Sequence, residues 1–167
     1  MRWERLFAEL EAQAGDLELD DRDALVEELR DGDWAETSWR ALLGGHVVLD
    51  VLGLGRVEGD VVLANEHIVH LHGERLDHVV SARAVLAVVS SQRRAERSSP
   101  VTATLGWGHV FRALRQADDA IRVSRIDGLT VDGAVSVVGR DFVRLRTESG
   151  RDQVVPFDAV AVVSGRT

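Results

Sequence analysis

Residues 57–90 read VEGDVVLANEHIVHLHGERLDHVVSARAVLAVVS, and residues 131–164 read VDGAVSVVGRDFVRLRTESGRDQVVPFDAVAVVS. Shifted by 74 positions, the two stretches align without a gap and agree at 11 of 34 positions. The shared residues are Val57/Val131, Gly59/Gly133, Val61/Val135, Val69/Val143, Leu71/Leu145, Glu74/Glu148, Val80/Val154, Ala87/Ala161, Val88/Val162, Val89/Val163 and Ser90/Ser164. Chance in such valine-rich text gives roughly three or four matches, so the chain reads as an internal duplication. Gly59 and Gly133 fall inside otherwise strand-like text, where a glycine is tolerated if the strand must bend sharply. Asn65-Glu66 faces Gly139-Arg140 across the repeat. Asn and Gly accept positive φ most easily, so both copies predict the same tight hairpin.

Outward from the repeat, alternation of apolar and polar residues predicts five strands per copy. The first set is His46–Leu52, Arg56–Ala64, His67–His72, Asp77–Ser81 and Val85–Ser90. The second is Ile121–Ile126, Leu129–Val138, Asp141–Arg146, Arg151–Val155 and Ala159–Ser164. A helical face precedes each set: Trp39, Leu42 and Leu43 in one, Val110, Phe111 and Leu114 within 105–117 in the other. Trp39-Arg40-Ala41-Leu42 matches Phe111-Arg112-Ala113-Leu114, now offset by 72. Further upstream, Trp3, Leu6, Phe7 and Leu10 share one helical face, and Leu25, Val26 and Leu29 another. The expected organisation is an acidic helical arm (1–37), a first helix-plus-strands repeat (38–91), a polar linker (92–104) and a second repeat (105–167).

The chain has 167 residues and a net charge of −8. Residues 1–37 hold 13 acids against four arginines, so the arm carries −9 and the remainder +1. A protein that grips a nucleic-acid backbone usually shows the opposite balance. There is no cysteine, so disulfides, thiolate metal sites and a cysteine nucleophile are excluded. All 20 basic residues are arginine, as GC-rich coding produces. No apolar run reaches the roughly 18 residues of a membrane span, and Met1–Leu10 is charged and amphipathic rather than a signal peptide. The expectation is a cytoplasmic protein with no membrane partner.

One helix followed by five short, strongly bent strands resembles the Sm-like barrel, a small SH3-like fold. That family's first motif has the form G-R-x-x-G-x-L-x-x-(apolar)-D-x-x-(apolar)-N-x-x-L. Gly55-Arg56, Gly59, Val61, Ala64 and Ile68 fit it, as do Gly133, Val135, Val138 and Phe142. The family's Asp position is held by Asn65 and Gly139, and its base-holding Asn falls on Val69 and Val143. Its second motif is missing, since Leu86–Ser90 and Val160–Ser164 contain no Arg-Gly or Lys-His pair. The resemblance therefore implies an α+β, mainly β fold of two tandem five-stranded barrels, each preceded by a helix, without the usual RNA site. The whole chain also resembles an uncharacterised family of two-barrel proteins from GC-rich Gram-positive bacteria, some labelled transcriptional regulators. The residues carrying that likeness are Met1-Arg2-Trp3, Leu6–Glu11, Arg40-Ala41-Leu42 and Val154-Val155-Pro156.

Two clusters carry possible chemistry. His70 and His72 share one strand face, and a hairpin turning at Gly73–Arg75 places His78 opposite His70 with Asp77 nearby. Imidazoles so placed suit zinc or nickel. The second copy has Arg144, Arg146 and Asp152 at the matching positions, which favours exposed sheet-face histidines over a metal centre. The basic cluster is Arg93, Arg94 and Arg97 in the linker, Arg112 and Arg115 in the following helix, and Arg122 and Arg125 further on. It suits phosphate or RNA, but no aromatic residues alternate with it as stacking platforms. No nucleophile-elbow or glycine-rich phosphate loop occurs in the context such chemistry needs. The expectation is therefore a non-enzymatic protein without a cofactor that works by protein or self-association. The valine-dense stretches Val85–Val89 and Ala159–Val163 are the expected places of strand pairing or burial. The alternative is an RNA- or DNA-binding regulator using the arginine-rich linker and second helix.

Overall fold

The computed structural model describes residues 34–93 and 100–166, together with Gly32. Residues from Trp39 onward form one compact unit, distinct from Met1–Ser38. The helices expected in the acidic arm, and the linker residues 94–99, lie outside the described residues.

Alternating valines and leucines build ten strands. They are β1 (Gly44–Val51), β2 (Gly55–Ala64), β3 (Ile68–His72), β4 (Leu76–Ser81), β5 (Val85–Arg93), β6 (Ile121–Arg125), β7 (Thr130–Val138), β8 (Phe142–Thr147), β9 (Asp152–Pro156) and β10 (Val160–Arg166). One helix longer than a turn is described, α1 (Trp107–Ala117). Its residues Trp107, Phe111 and Leu114 recur at helical spacing on the face turned to the core. It ends at Asp118, whose φ of 55° is left-handed. Pro100–Ala103 makes a single helical turn before it.

The strands form one antiparallel sheet in the order β5-β1-β2-β3-β4-β10-β6-β7-β8-β9, and the sheet is not closed. This corrects the expectation of two five-stranded barrels, each with its own helix. Closing a first barrel requires β5 to return to β4. Instead β10, from the other end of the sequence, pairs with β4 on one side and β6 on the other. The helix expected from Trp39 is a four-residue 3-10 turn, Trp39–Leu42, because β1 already begins at Gly44.

Pairing partners also correct the ungapped alignment. From β1 to β3 the halves correspond at an offset of 74: Val47 faces Gly59 as Ile121 faces Gly133. Val69 then faces Val80, whereas Val143 faces Val155. Leu49 faces Val88, whereas Val123 faces Val163. The β8–β9 hairpin is one residue longer than β3–β4, which moves the offset to 75. A bulge in β5, where Val48 and Leu49 face Ser90 and Val88, leaves Val89 over and restores 74. Val80, Ala87 and Val88 therefore correspond to Val155, Val162 and Val163.

Two apolar clusters fill the interior. The first gathers Leu43, Val47, Leu49, Val51, Val57, Val69, Leu71 and Val80, and also takes Ala161 and Val162 from β10. The second gathers Trp107, Phe111, Ile121, Val123, Val131, Val135, Val143, Leu145, Val155, Val160 and Val163, and takes Ile68 from the first half. Trp107, Phe111 and Phe157 stack in series within it, with ring centroids 5.5 and 5.7 Å apart. Burying a side chain of this kind stabilises by about 1.5–3 kcal/mol, so the clusters outweigh the exposed ion pairs around them.

Gly59 and Gly133 are required by close approach. A Cβ on Gly59 would lie 2.7 Å from the carbonyl oxygen of His72, and one on Gly133 would collide with that of Arg146. Both sit where the backbone of the next strand comes too close for a side chain. Gly133→Ala is expected to lower the unfolding free energy by about 1–3 kcal/mol through overpacking. Gly165→Ala, whose added Cβ would meet Ile121 at an ordinary 3.9 Å, is expected to lose less. Denaturant titration of the two variants checks the order.

Candidate functional site

Asn65, at the end of β2, organises one side of the molecule. Its side chain is buried and fully engaged. Nδ2 donates to the carbonyls of Thr102 (2.7 Å) and Leu105 (2.9 Å), and Oδ1 accepts from the amides of His67 (2.8 Å) and Ile68 (2.9 Å). The segment entering α1 is thus tied to the β2–β3 turn. Neither Asn65 nor Gly139 has positive φ, which corrects the reason given for their presence. Asn65 closes its turn with its side chain. Asn65→Ala removes all four bonds and is expected to cost about 1–3 kcal/mol in stability, with Asn65→Asp, which keeps the acceptor only, falling between. Thermal melts of the three proteins check this.

A cleft of about 560 Å³ lies beside α1. Arg83, Arg112, Arg140, His67 and His109 line it, together with Glu66 and Asp158. Arg112 is the one member of the expected basic cluster placed there. Arg115 lies on the exposed last turn of α1. Arg94 and Arg97 lie outside the described residues, and Arg93 is described by its backbone at the end of β5. Arg83 pairs with Asp158 at 3.4 Å, and Trp107 is buried, so the cleft offers no free indole face for a base. Arg83, Arg140 and His109 were not legible as neighbours because three separate elements bring them in.

The histidines divide differently from expectation. His70 faces Val79, Leu71 faces His78 and His72 faces Asp77. His78 therefore points to the opposite face from His70 and His72, because the hairpin register is one residue off the expected one. Asp77 sits between the other two, with Oδ1 2.8 Å from His72 Nδ1 and Oδ2 3.5 Å from His70 Nε2. Among the described residues no three His, Asp or Glu side chains form a metal-holding group.

His78 lies on the seam between β4 and β10, where it faces Ser164 and its Nδ1 is 2.8 Å from Ser164 Oγ. A cleft of about 930 Å³ on this side is lined by His78, Leu54, Arg122, Asp132 and Ser164. Arg122 grips Asp132 with two bonds, 2.7 and 2.9 Å, and this holds the carboxyl below its ordinary range. Burial pushes the His78 imidazole below its ordinary 6.5, against the opposing pull of Asp77.

The ends of the sheet are the remaining surfaces. Among the described residues, no strand pairs with the outer side of β5 or of β9. Leu86 (65% exposed) and Val89 (43%) project from β5, and Val154 (52%) from β9. Of the two valine-dense stretches, the structure buries Ala159–Val163 between strands and leaves Val85–Val89 at an edge. Strand β9 was not singled out, although an apolar residue on the polar phase of a short strand was a readable signal.

No protein-family model and no curated protein matches this chain. Its surfaces carry the functional argument by themselves. Among the described residues no helix is long and apolar enough to cross a membrane.

The lowered His78 value fixes a pH response. The unfolded chain takes the proton first, so the stability contributed by neutral His78 is full well above pH 6.5 and is lost as pH falls through 6.5 toward the lower folded value. His78→Gln, which can keep a bond to Ser164, is expected to show a smaller drop in melting temperature between pH 7.5 and 5.5 than the parent. An equal drop removes His78 as the source.

Proposed function

We propose that this protein is a non-enzymatic association module that works through the two edges of its sheet. The observation that supports this most is the exposed apolar character of those edges, Leu86 and Val89 on β5 and Val154 on β9. An edge strand presents unpaired amides and carbonyls, and main-chain pairing with another strand supplies affinity while side-chain pockets supply specificity. Natural edges are commonly blunted by inward charges or lysines. Here the exposed positions include the aliphatic Leu86, Val89 and Val154, with Asp152 at the start of β9.

The alternative, a nucleic-acid regulator, draws on the convergence of Arg83, Arg112 and Arg140 in the α1 cleft. It is less well supported. Arg83 is paired with Asp158, Glu66 lines the same space, and the indole is buried.

Leu86→Lys and Val154→Lys put a charge on each edge without touching the core clusters. Protein captured by the parent chain from native cells, with nuclease present, is expected to be lost in these variants and retained in Arg112→Ala. Capture that depends on Arg112 and vanishes on nuclease treatment would replace this reading with the nucleic-acid one.

A further inference from the structure

We infer that the occupant of both edges is a second copy of this chain, joined head to tail, with β5 of one copy paired antiparallel to β9 of the next. This rests on the association reading and names its partner and register.

The seam inside the chain supplies the template. There β10 pairs with β4: Val162 faces Val80, Val163 faces Val79 and Ser164 faces His78. By their pairing positions, β5 is the counterpart of β10 and β9 the counterpart of β4. The chain thus contains each partner of its own seam twice, once joined and once free. The joined β10 lies between β4 and β6, and the free β5 and β9 stand at opposite ends of the sheet.

Burial follows the same division. Ala161 and Val162 of β10 are fully buried in the first apolar cluster, beside Val80 and Leu71. Their counterparts on β5 are Leu86 and Ala87, both exposed. On the other partner, Val79 of β4 packs against the second cluster, whereas its counterpart Val154 is half exposed on β9. Three apolar positions covered around the seam are therefore uncovered at the free edges. Leu86 and Ala161 also occupy matching irregularities: Asp50 and Val51 face Ala87 and Val85, skipping Leu86, as Ser124 and Arg125 face Val162 and Val160, skipping Ala161.

Transferring the seam gives the register between copies. Ala87 faces Val155, Val88 faces Val154, Val89 bulges, and Ser90 faces Gln153. Pro156, which has no amide hydrogen to donate, lies beyond the last paired residue, as Ser81 lies beyond Val80 in the internal seam. Two different edges meet, so the interface is heterologous and repeats until a ring closes or a filament grows.

The chain has no cysteine, so single cysteines report the contact cleanly. Directly opposed residues of antiparallel strands lie about 4.5–5.5 Å apart at Cα, within disulfide reach. Full-length Val88→Cys and Val154→Cys are mixed at equal concentration and oxidised. A disulfide-linked pair is expected in the mixture at a yield several-fold above either variant alone, and it should vanish when Leu86→Lys is added. Ser90→Cys with Gln153→Cys tests the same register should Val88→Cys disturb the core. Light scattering of the parent chain is expected to give a mass above the monomer that rises with concentration or settles at a closed ring.

A Val154→Cys homodimer, or equal yields in all three samples, overturns the head-to-tail pairing. A strict monomer whose β5 and β9 amides are protected from exchange assigns the edges to the chain's own residues 1–38 and overturns it too. A strict monomer that still captures a different protein through Leu86 and Val154 overturns the second copy while leaving the association reading standing.

Discussion

The fold depends on where β10 goes. A strand at the end of the sequence lies in the middle of the sheet, with β4 on one side and β6 on the other. It supplies Ala161 and Val162 to one apolar cluster and Val160 and Val163 to the other. The phase of that division changes at Ala161, where the pairing with β6 shifts. A regular strand would send alternate residues to opposite faces without such a phase change. The irregularity therefore sets the division, sending the neighbours Ala161 and Val162 to one core and Val160 and Val163 to the other. Pairing β10 with both halves also removes two edges that two separate five-stranded sheets would have left open.

A second constraint fixes what sits over the sheet. Asn65 ties the chain before α1 to the β2–β3 turn through four hydrogen bonds. With that anchor in place, Trp107 and Phe111 are held against Phe157. Ile68, next to the anchor, joins the second cluster although it belongs to the first half. Cross-supply from β10 in one direction and Ile68 in the other means that neither half has a complete interior of its own. Loss of either element is then felt in both clusters.

Local periodicity places the ten strands well, with boundaries within three residues of those observed. Such strands carry Val or Leu at every second position, and that signal is contained in five or six residues. The partner of each strand is not contained in it. The text of Leu76–Ser81 reads the same whether β4 meets β5 or β10, and this is why closed barrels were expected and an open sheet is found. The histidines show the same limit on a smaller scale. His70 and His72 share a face, as spacing demands, but a one-residue difference in the hairpin sends His78 to the seam and brings Asp77 to the pair. Asn65 was legible as a turn residue and illegible as a tether, because its acceptors Thr102 and Leu105 are some 40 residues away.

The irregularities that complicate the alignment also bear on specificity. A long, flat, apolar edge accepts almost any extended strand and invites aggregation. Neither free edge here is of that kind. The pairing of β5 with β1 is interrupted at Leu86 and again at Val89, and β9 has five residues ending in Pro156. A bulge twists the strand and breaks the even spacing of its hydrogen-bonding groups, so an arbitrary strand meets the edge out of step. In the internal seam β10, whose pairing with β6 shifts at Ala161, pairs without interruption with β4 from Val162 to Arg166. Strand β9 carries that pattern again, with Val154 and Val155 where β4 has Val79 and Val80, and the break at Leu86 on β5 falls where β10 has its own at Ala161, so the two free edges keep the pattern of the joined pair.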